Sequence, residues 1–375
     1  MNITDSWETP VTDDLDPTDV LDDLGHDDTN TLDADAIMQN IYLAIGILGM
    51  TDNSFVAMVL MTSREMRGTT TNMFIINQSM IDFSASFFIV VTNFFRDVTH
   101  VPPGLEREMF CRLWLTNLPI WGFFISSTYN LVCMTLERYY ALVHPLKHAY
   151  NFTKKKAGIM FAFSWVIGPG FYMTYTVATS YMQDENTCSV INKWPGLTWQ
   201  RTAGILITTF QYFIPLVIIC YCYTRIILVL KRGAEPKSKE RAGKKESSAS
   251  SNRDNLMLKA KKNVIKTLLL VALCFVFCWS WNQVYYLMFN LGQNVSFNTP
   301  FYHFTVLAIF CNCSLNPIVY AIKYEQFQRR VVELFCCCCR NSSMKPSTSD
   351  VSITRNTDVT VKGSESASEL EAGHV

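Results

Sequence analysis

The sequence predicts an all-α integral membrane protein, a seven-transmembrane helix bundle, on three observations. Seven apolar stretches recur along the chain, each long enough to cross the roughly 30 Å of bilayer hydrocarbon, which takes about 20 helical residues. The composition is 49% hydrophobic and 17% charged, against about 25% charged in soluble domains. Basic residues gather in alternate loops, the pattern of a chain threaded back and forth through a membrane. The formal net charge of zero averages over that segregation and hides it.

The predicted spans are Ile37–Met61, Asn72–Phe95, Leu113–Leu142, Ala157–Thr179, Ala203–Leu230, Asn263–Asn290 and Tyr302–Ile322. Each is bounded by a polar or Pro/Gly-containing segment such as Thr62–Thr71, His100–Glu108 or Asn192–Trp199. Helices are expected because hydrocarbon leaves backbone groups nothing to bond except each other. The spans are too long and continuous for barrel strands. Arg64 and Arg67, Lys147 with Lys154–Lys156, and Lys231–Lys262 mark the cytosolic loops, which puts residues 1–36 outside and the C-terminus inside. A plasma-membrane location follows. The first 36 residues are acidic, hold no Lys or Arg, and lack the apolar core of a signal peptide. They are read as an acidic extracellular tail, with residues 37–335 as the bundle and 336–375 as a Ser/Thr-rich cytosolic tail. Residues 233–256 are polar and without aromatics, and are read as a disordered third cytosolic loop. Asn2 and Asn294 head glycosylation sequons on the outer side.

Zinc, P-loop, GxSxG and HExxH patterns are absent from the sequence, and the six His are scattered, so neither enzyme chemistry nor a nucleic-acid partner is expected. A seven-span transporter would show internal repeats or interrupted midplane helices, and neither is visible. The informative residues are polar ones inside the spans, because a charge in the bilayer is costly and kept for a purpose. Asp82 lies near the middle of the second span. Asn53, Ser127, Asn312 and Asn316 fall at matching depths in the first, third and seventh. Asp52, beside Asn53, is a second intramembrane acid without a clear role.

Glu137-Arg138-Tyr139 closes the third span and is followed by His144-Pro145-Leu146. Asn316-Pro317-Ile318-Val319-Tyr320 lies in the seventh span, Phe275 through Trp279 in the sixth, Trp165 in the fourth and Pro215 in the fifth. Any one motif is weak. The ordered set resembles the rhodopsin-like family of G-protein-coupled receptors over about residues 37–339, most nearly its neuropeptide-receptor branches.

That resemblance implies a receptor for an extracellular ligand, coupled to heterotrimeric G proteins and then to arrestin. Arg138 is implied to meet the G protein, with Glu137 holding it at rest and Tyr139 beside it. Tyr223 and Tyr320 are implied to bridge in the active state. Trp279 would be the toggle at the floor of the ligand pocket, with Phe275, Asn316 and Pro317 in the switch. Asp82, Ser127, Asn312 and Asn316 are implied to hold an allosteric sodium ion, the only cofactor expected. Cys111 and Cys188 are implied to form a disulfide. Tyr324–Leu334, with Phe327, is implied to be a short amphipathic eighth helix on the membrane, and Cys336, Cys337, Cys338 and Cys339 its palmitoylation site.

Two departures stand out. Where the family usually places a proline, two residues after the toggle, the chain has Trp281, so the sixth helix is expected to be straighter. At the base of that helix Lys261 occupies a position that often holds an acid pairing with Arg138. Pro119 is expected to mark a distortion that absorbs a longer Cys111-to-Arg138 spacing. The third span holds no acid from Leu113 to Leu136, with Ile120 at the aligned position, which argues against an amine ligand. The seventh span holds no lysine for a retinal Schiff base. Trp114, Trp121, Gln283, Tyr285, Tyr286 and His303 are candidates for the ligand-facing wall, and a peptide is the expected ligand. A lipid or neutral small molecule, or a weakly signalling decoy receptor, is the alternative.

Overall fold

The computed structural model describes residues 20–95, 99–234, 248–297 and 299–336, with side chains over 36–95, 99–148, 150, 152–231, 263–297 and 299–335. Asn2, Cys337, Cys338, Cys339 and the side chains of Cys336 and Lys261 lie outside these residues. The chain divides into two units, residues 1–333 and 334–375. The first holds the bundle.

Seven main helices cross it. They are α1 (Val20–Met61), α2 (Thr70–Phe94), α3 (Leu118–Val143), α4 (Lys154–Thr179), α5, α6 (Ser248–Asn290) and α7 (Pro300–Lys323). Here α5 denotes Leu197–Thr208, a π turn at Thr209–Phe213 and Ile214–Ala234, which follow without a break. An eighth helix, α8, spans Glu325–Cys336. Among the described residues six helices are long and apolar enough to cross a membrane, at Ala36–Met61, Thr70–Phe94, Lys154–Thr179, Leu197–Lys231, Asn263–Asn290 and Pro300–Lys323. The seventh, α3, is the central helix, and its polar residues explain the difference. Ser126, Ser127, Thr128, Asn130, Thr135 and Glu137 are buried by neighbouring helices. The lipid-facing side is apolar instead. Leu48, Met58, Phe163, Val217, Leu273 and Phe277 stand exposed, an arrangement tolerated in hydrocarbon but not in water.

Local chemistry sets the helix starts. Thr69, Thr153 and Thr299 cap α2, α4 and α7 by accepting hydrogen bonds from the backbone N–H groups of Asn72, Lys156 and Tyr302. Pro300 follows Thr299 in the first turn, where a missing N–H costs nothing. Inside α7, Pro317 cannot bond the carbonyl of Cys313. Asn53 of α1 donates to that carbonyl at 2.9 Å instead.

Several boundaries differ from the sequence reading. Helix α1 begins at Val20, inside the segment read as a tail, and α6 begins at Ser248, inside the predicted third loop. The third span was expected from Leu113, but α3 starts at Leu118. The chain before it forms Leu105–Phe110, a π turn at Cys111–Leu115 and a left-handed Asn117 (φ 53°). The extra residues sit in that π turn and kink, with Pro119 in the first turn of α3. Between α4 and α5 a two-stranded hairpin, β1 (Tyr181–Met182) with β2 (Cys188–Ser189), pairs Met182 opposite Cys188. The Cys111–Cys188 disulfide ties it to the π turn.

Gly122 and Gly168 let α3 and α4 touch backbone to backbone. A Cβ on Gly122 would lie 2.8 Å from the Cα of Pro169. One on Gly168 would lie 2.6 Å from the Ser126 nitrogen and collide with the Gly122 carbonyl.

Candidate functional site

At the hairpin end, all seven main helices splay around a cavity of about 190 Å³ roofed by Val190 and Ile191. Trp121, Gln283, Tyr285, Tyr286 and His303, picked out from sequence, are on its wall. Trp114 is not. Its indole N–H donates to the carbonyl of Phe95 at 2.5 Å, and its ring lies against Phe88 and Phe110. Sequence reading missed Tyr42, Tyr172, Tyr175, Gln211 and Asn282, which also line the cavity. Among the described residues no Asp, Glu, Lys or Arg lines it.

His303 takes a hydrogen bond with the Tyr42 hydroxyl at 3.2 Å. Gln283 is 97% buried, and its side-chain oxygen has no donor. The charged groups nearby are engaged elsewhere. Arg107 donates to the carbonyls of Val101 and Glu185. Arg112 pairs with Glu108 at 2.6 Å and also donates to the Val177 carbonyl. Burial alone would raise the Glu108 carboxyl, but the Met182 N–H and Arg112 together hold it below its usual range.

Trp279 is not on the cavity wall. Phe310, which is, packs on Phe124 at 5.7 Å, and Phe124 packs on Trp279 at 6.4 Å. The indole is 1% exposed and also meets Phe275 at 5.6 Å. The tryptophan is therefore one layer below the floor. Trp281 points outward, 41% exposed, beside Phe277 and Phe304, and α6 runs on past it to Asn290.

Deeper still, Asp82 is fully buried. Asn316 donates to it at 2.9 Å. Gln78, which the sequence reading passed over, lies one helical turn before Asp82. Its amide nitrogen meets both carboxylate oxygens, at 3.2 and 3.0 Å, and also Ser127. The structure thus brings Asp82, Ser127 and Asn316 together, with Gln78 bonded to both Asp82 and Ser127. Asn312 is buried nearby in α7, and its side-chain oxygen has no partner. The i, i+4 spacing of Gln78 and Asp82 was a signal that could have found the pair.

At the opposite end Glu137, its side chain 1% exposed, takes bonds from Arg138, one at 2.6 Å. A second partner is His148 of the short helix Pro145–Asn151, whose Nε2 lies 3.0 Å from the carboxylate oxygen that takes the 2.6 Å bond. The His148 ring stacks on Phe152 at 5.3 Å. Tyr139 bonds His144 at 3.3 Å. Tyr223 and Tyr320 are both buried, and their hydroxyls are not bonded to each other. Thr267 of α6 donates to the Lys323 carbonyl at the end of α7, at 3.1 Å. Phe327 of α8 is buried against Phe55 of α1 while Glu325, Gln326 and Arg329 are exposed, so α8 is amphipathic.

Comparison with known proteins decides the family. Residues 52–320, most of the chain, match the family described as 7 transmembrane receptor (rhodopsin family). The chain belongs to that family. It is 28% identical to galanin receptor 2b of Danio rerio over 81% of this chain and 76% of that protein. It is 26% identical to the substance-K receptor of Homo sapiens, over 81% and 73%, and 28% identical to somatostatin receptor type 2 of Sus scrofa, over 81% and 78%. This receptor is accordingly a multi-pass membrane protein and not an enzyme.

Proposed function

We propose that the receptor binds a neuropeptide from the extracellular side of the plasma membrane and activates heterotrimeric G proteins through the Arg138 end of the bundle. The observation that carries the reading is the uncharged, tyrosine-rich cavity beneath a disulfide-tethered hairpin. An amine would need a carboxylate partner there, and an unpaired buried charge is expensive. The volume is smaller than the roughly 300–1,000 Å³ of ordinary small-molecule sites. A peptide can place one uncharged end or side chain inside and rest the remainder on the hairpin. The likeness to receptors named for galanin, substance K and somatostatin supports the same class. The basic loops support a cytosolic Arg138, and the exposed Asn294, at the other end, heads a sequon that fits an extracellular face.

Signalling in this reading passes through packed rings. A ligand pressing on Phe310 moves Phe124 and then Trp279 of α6, whose far end lies toward Arg138. Release of Arg138 from Glu137 exposes a cation to the G protein. The amphipathic α8 lies on the bilayer, Cys336–Cys339 accept palmitate, and the Ser/Thr tail recruits arrestin once phosphorylated. The test is expression of the full chain with a panel of galanin-, tachykinin- and somatostatin-type peptides, read by calcium and cyclic AMP. A saturable response that Tyr286→Ala or Trp121→Ala weakens is expected. Silence to every peptide together with a response to neutral lipids would overturn the peptide class. Peptide binding with no G-protein response would show a decoy.

A further inference from the structure

The family resemblance implies sodium at Asp82, and the donor set has the oxygen chemistry a hard cation takes. Asp82 is buried without a cationic side chain, and the Asn312 and Asn316 oxygens are unpartnered. The Asp82 carboxylate and the Ser127 hydroxyl are nonetheless already bonded to an amide of this chain. The NH₂ group of Gln78 bridges both carboxylate oxygens and the Ser127 hydroxyl, the contacts a cation would make there. A cation cannot reach these oxygens while that amide holds them.

The orientation of the Gln78 amide is fixed by a directed chain of hydrogen bonds. The Trp165 indole in α4 can only donate, and it donates to the Asn77 side-chain oxygen at 2.9 Å. Asn77 must then present its nitrogen to Asn130, at 2.8 Å. Asn130 in turn presents its nitrogen to the Gln78 oxygen, at 2.8 Å, and also to the Phe74 carbonyl, at 3.2 Å. Gln78 is left with its NH₂ facing Asp82. The ends of the relay are a group that only donates and a carboxylate that only accepts, so every amide between them has one allowed orientation. Asn77, Gln78 and Asn130 are each at least nine-tenths buried, and flipping any of them would set oxygen against oxygen in a medium of low dielectric.

We infer that this receptor's own Gln78, held by the Trp165–Asn77–Asn130 relay, occupies the cation position at Asp82, so the receptor does not depend on sodium. The chain of amides replaces the ion's contacts with N–H donors drawn from α2 and α7, and joins α4 to the polar core through α2 and α3. On this proposal Asp82→Asn removes no sodium response from the otherwise unmodified receptor.

The experiment is thermal unfolding of the full-length receptor in detergent, with sodium chloride exchanged for N-methyl-D-glucamine chloride at constant ionic strength. The unmodified receptor is expected to melt at the same temperature in both salts. Gln78→Leu removes the bridging amide and leaves the carboxylate, so it is expected to gain a sodium-dependent rise in melting temperature. Gln78→Leu/Asp82→Asn is expected to lose that rise. Trp165→Phe, which frees the relay at its donor end, is expected to show a smaller sodium effect than Gln78→Leu. If Gln78→Leu does not fold, Trp165→Phe alone decides, and a melting temperature independent of sodium in it overturns the relay. A sodium-dependent rise in the unmodified receptor that Asp82→Asn abolishes overturns the proposal.

Discussion

Substituting Glu137 by Gln should raise basal signalling by about ten- to a hundredfold, and His148→Ala should raise it less. The glutamate is almost fully buried and accepts bonds from both Arg138 and His148. Glutamine keeps the shape but loses the charge, and hydrogen bonds to a charged group contribute roughly 1.5–3 kcal/mol. If that energy holds Arg138 away from the G protein, its loss shifts the two-state population by about one to two powers of ten. His148 makes one of the bonds and its side chain is 26% exposed, so roughly 0.5–1.5 kcal/mol, a factor of about two to ten, is at stake. Because His148 acts only by holding Glu137, the double variant should match Glu137→Gln rather than the product of the two effects. The assay is agonist-free nucleotide exchange on purified G protein at matched receptor density. Unchanged exchange in Glu137→Gln would refute the reasoning, as would His148→Ala equalling it.

Three further outcomes are expected. Gly168→Ala forces α3 and α4 apart and should cost about 1–3 kcal/mol, read as a lower melting temperature and reduced surface expression. Cys188→Ser frees the hairpin from the π turn before α3, across a separation of 77 residues. It should lose about 2–4 kcal/mol and weaken peptide binding before it affects basal signalling. The Glu108–Arg112 pair, with its depressed carboxyl, stabilises the hairpin at neutral pH and loses that contribution as external pH falls through the lowered carboxyl value. Glu108→Gln should therefore flatten the acid limb of a stability-against-pH curve.

Much of the fold was legible because lipid imposes a simple rule on length and polarity. The first, fourth and sixth spans end where α1, α4 and α6 end, at Met61, Thr179 and Asn290. The errors arise where that rule is silent. The polar stretch Ser248–Leu256 reads as disorder by composition, yet it is built of residues that continue a helix begun by the apolar stretch behind it. The entry to α3 was misplaced because π turns leave no periodic signature. Trp114 was assigned to the cavity by its depth along the helix, whereas the π turn rotates it toward Phe95. Gln78 and His148 stayed invisible for a different reason. Each gains its meaning from a partner brought near by packing, α2 against α3 in one case and a folded-back loop in the other.

The unbroken course of α6 has a mechanical consequence. Without a proline the segment Asn263–Asn290 behaves as a stiff lever, and the largest fully buried side chain along it is Trp279. At 1.5 Å per residue the arm toward Asn263 is about 24 Å and the arm toward Asn290 about 16 Å. Rotation about Trp279 turns each ångström of inward travel at the ligand end into about 1.5 Å outward at the other. The Thr267–Lys323 bond is the stop that the longer arm must clear. Contraction around a ligand and opening toward the G protein thus become one rigid motion, with a gain set by where the tryptophan sits along the rod.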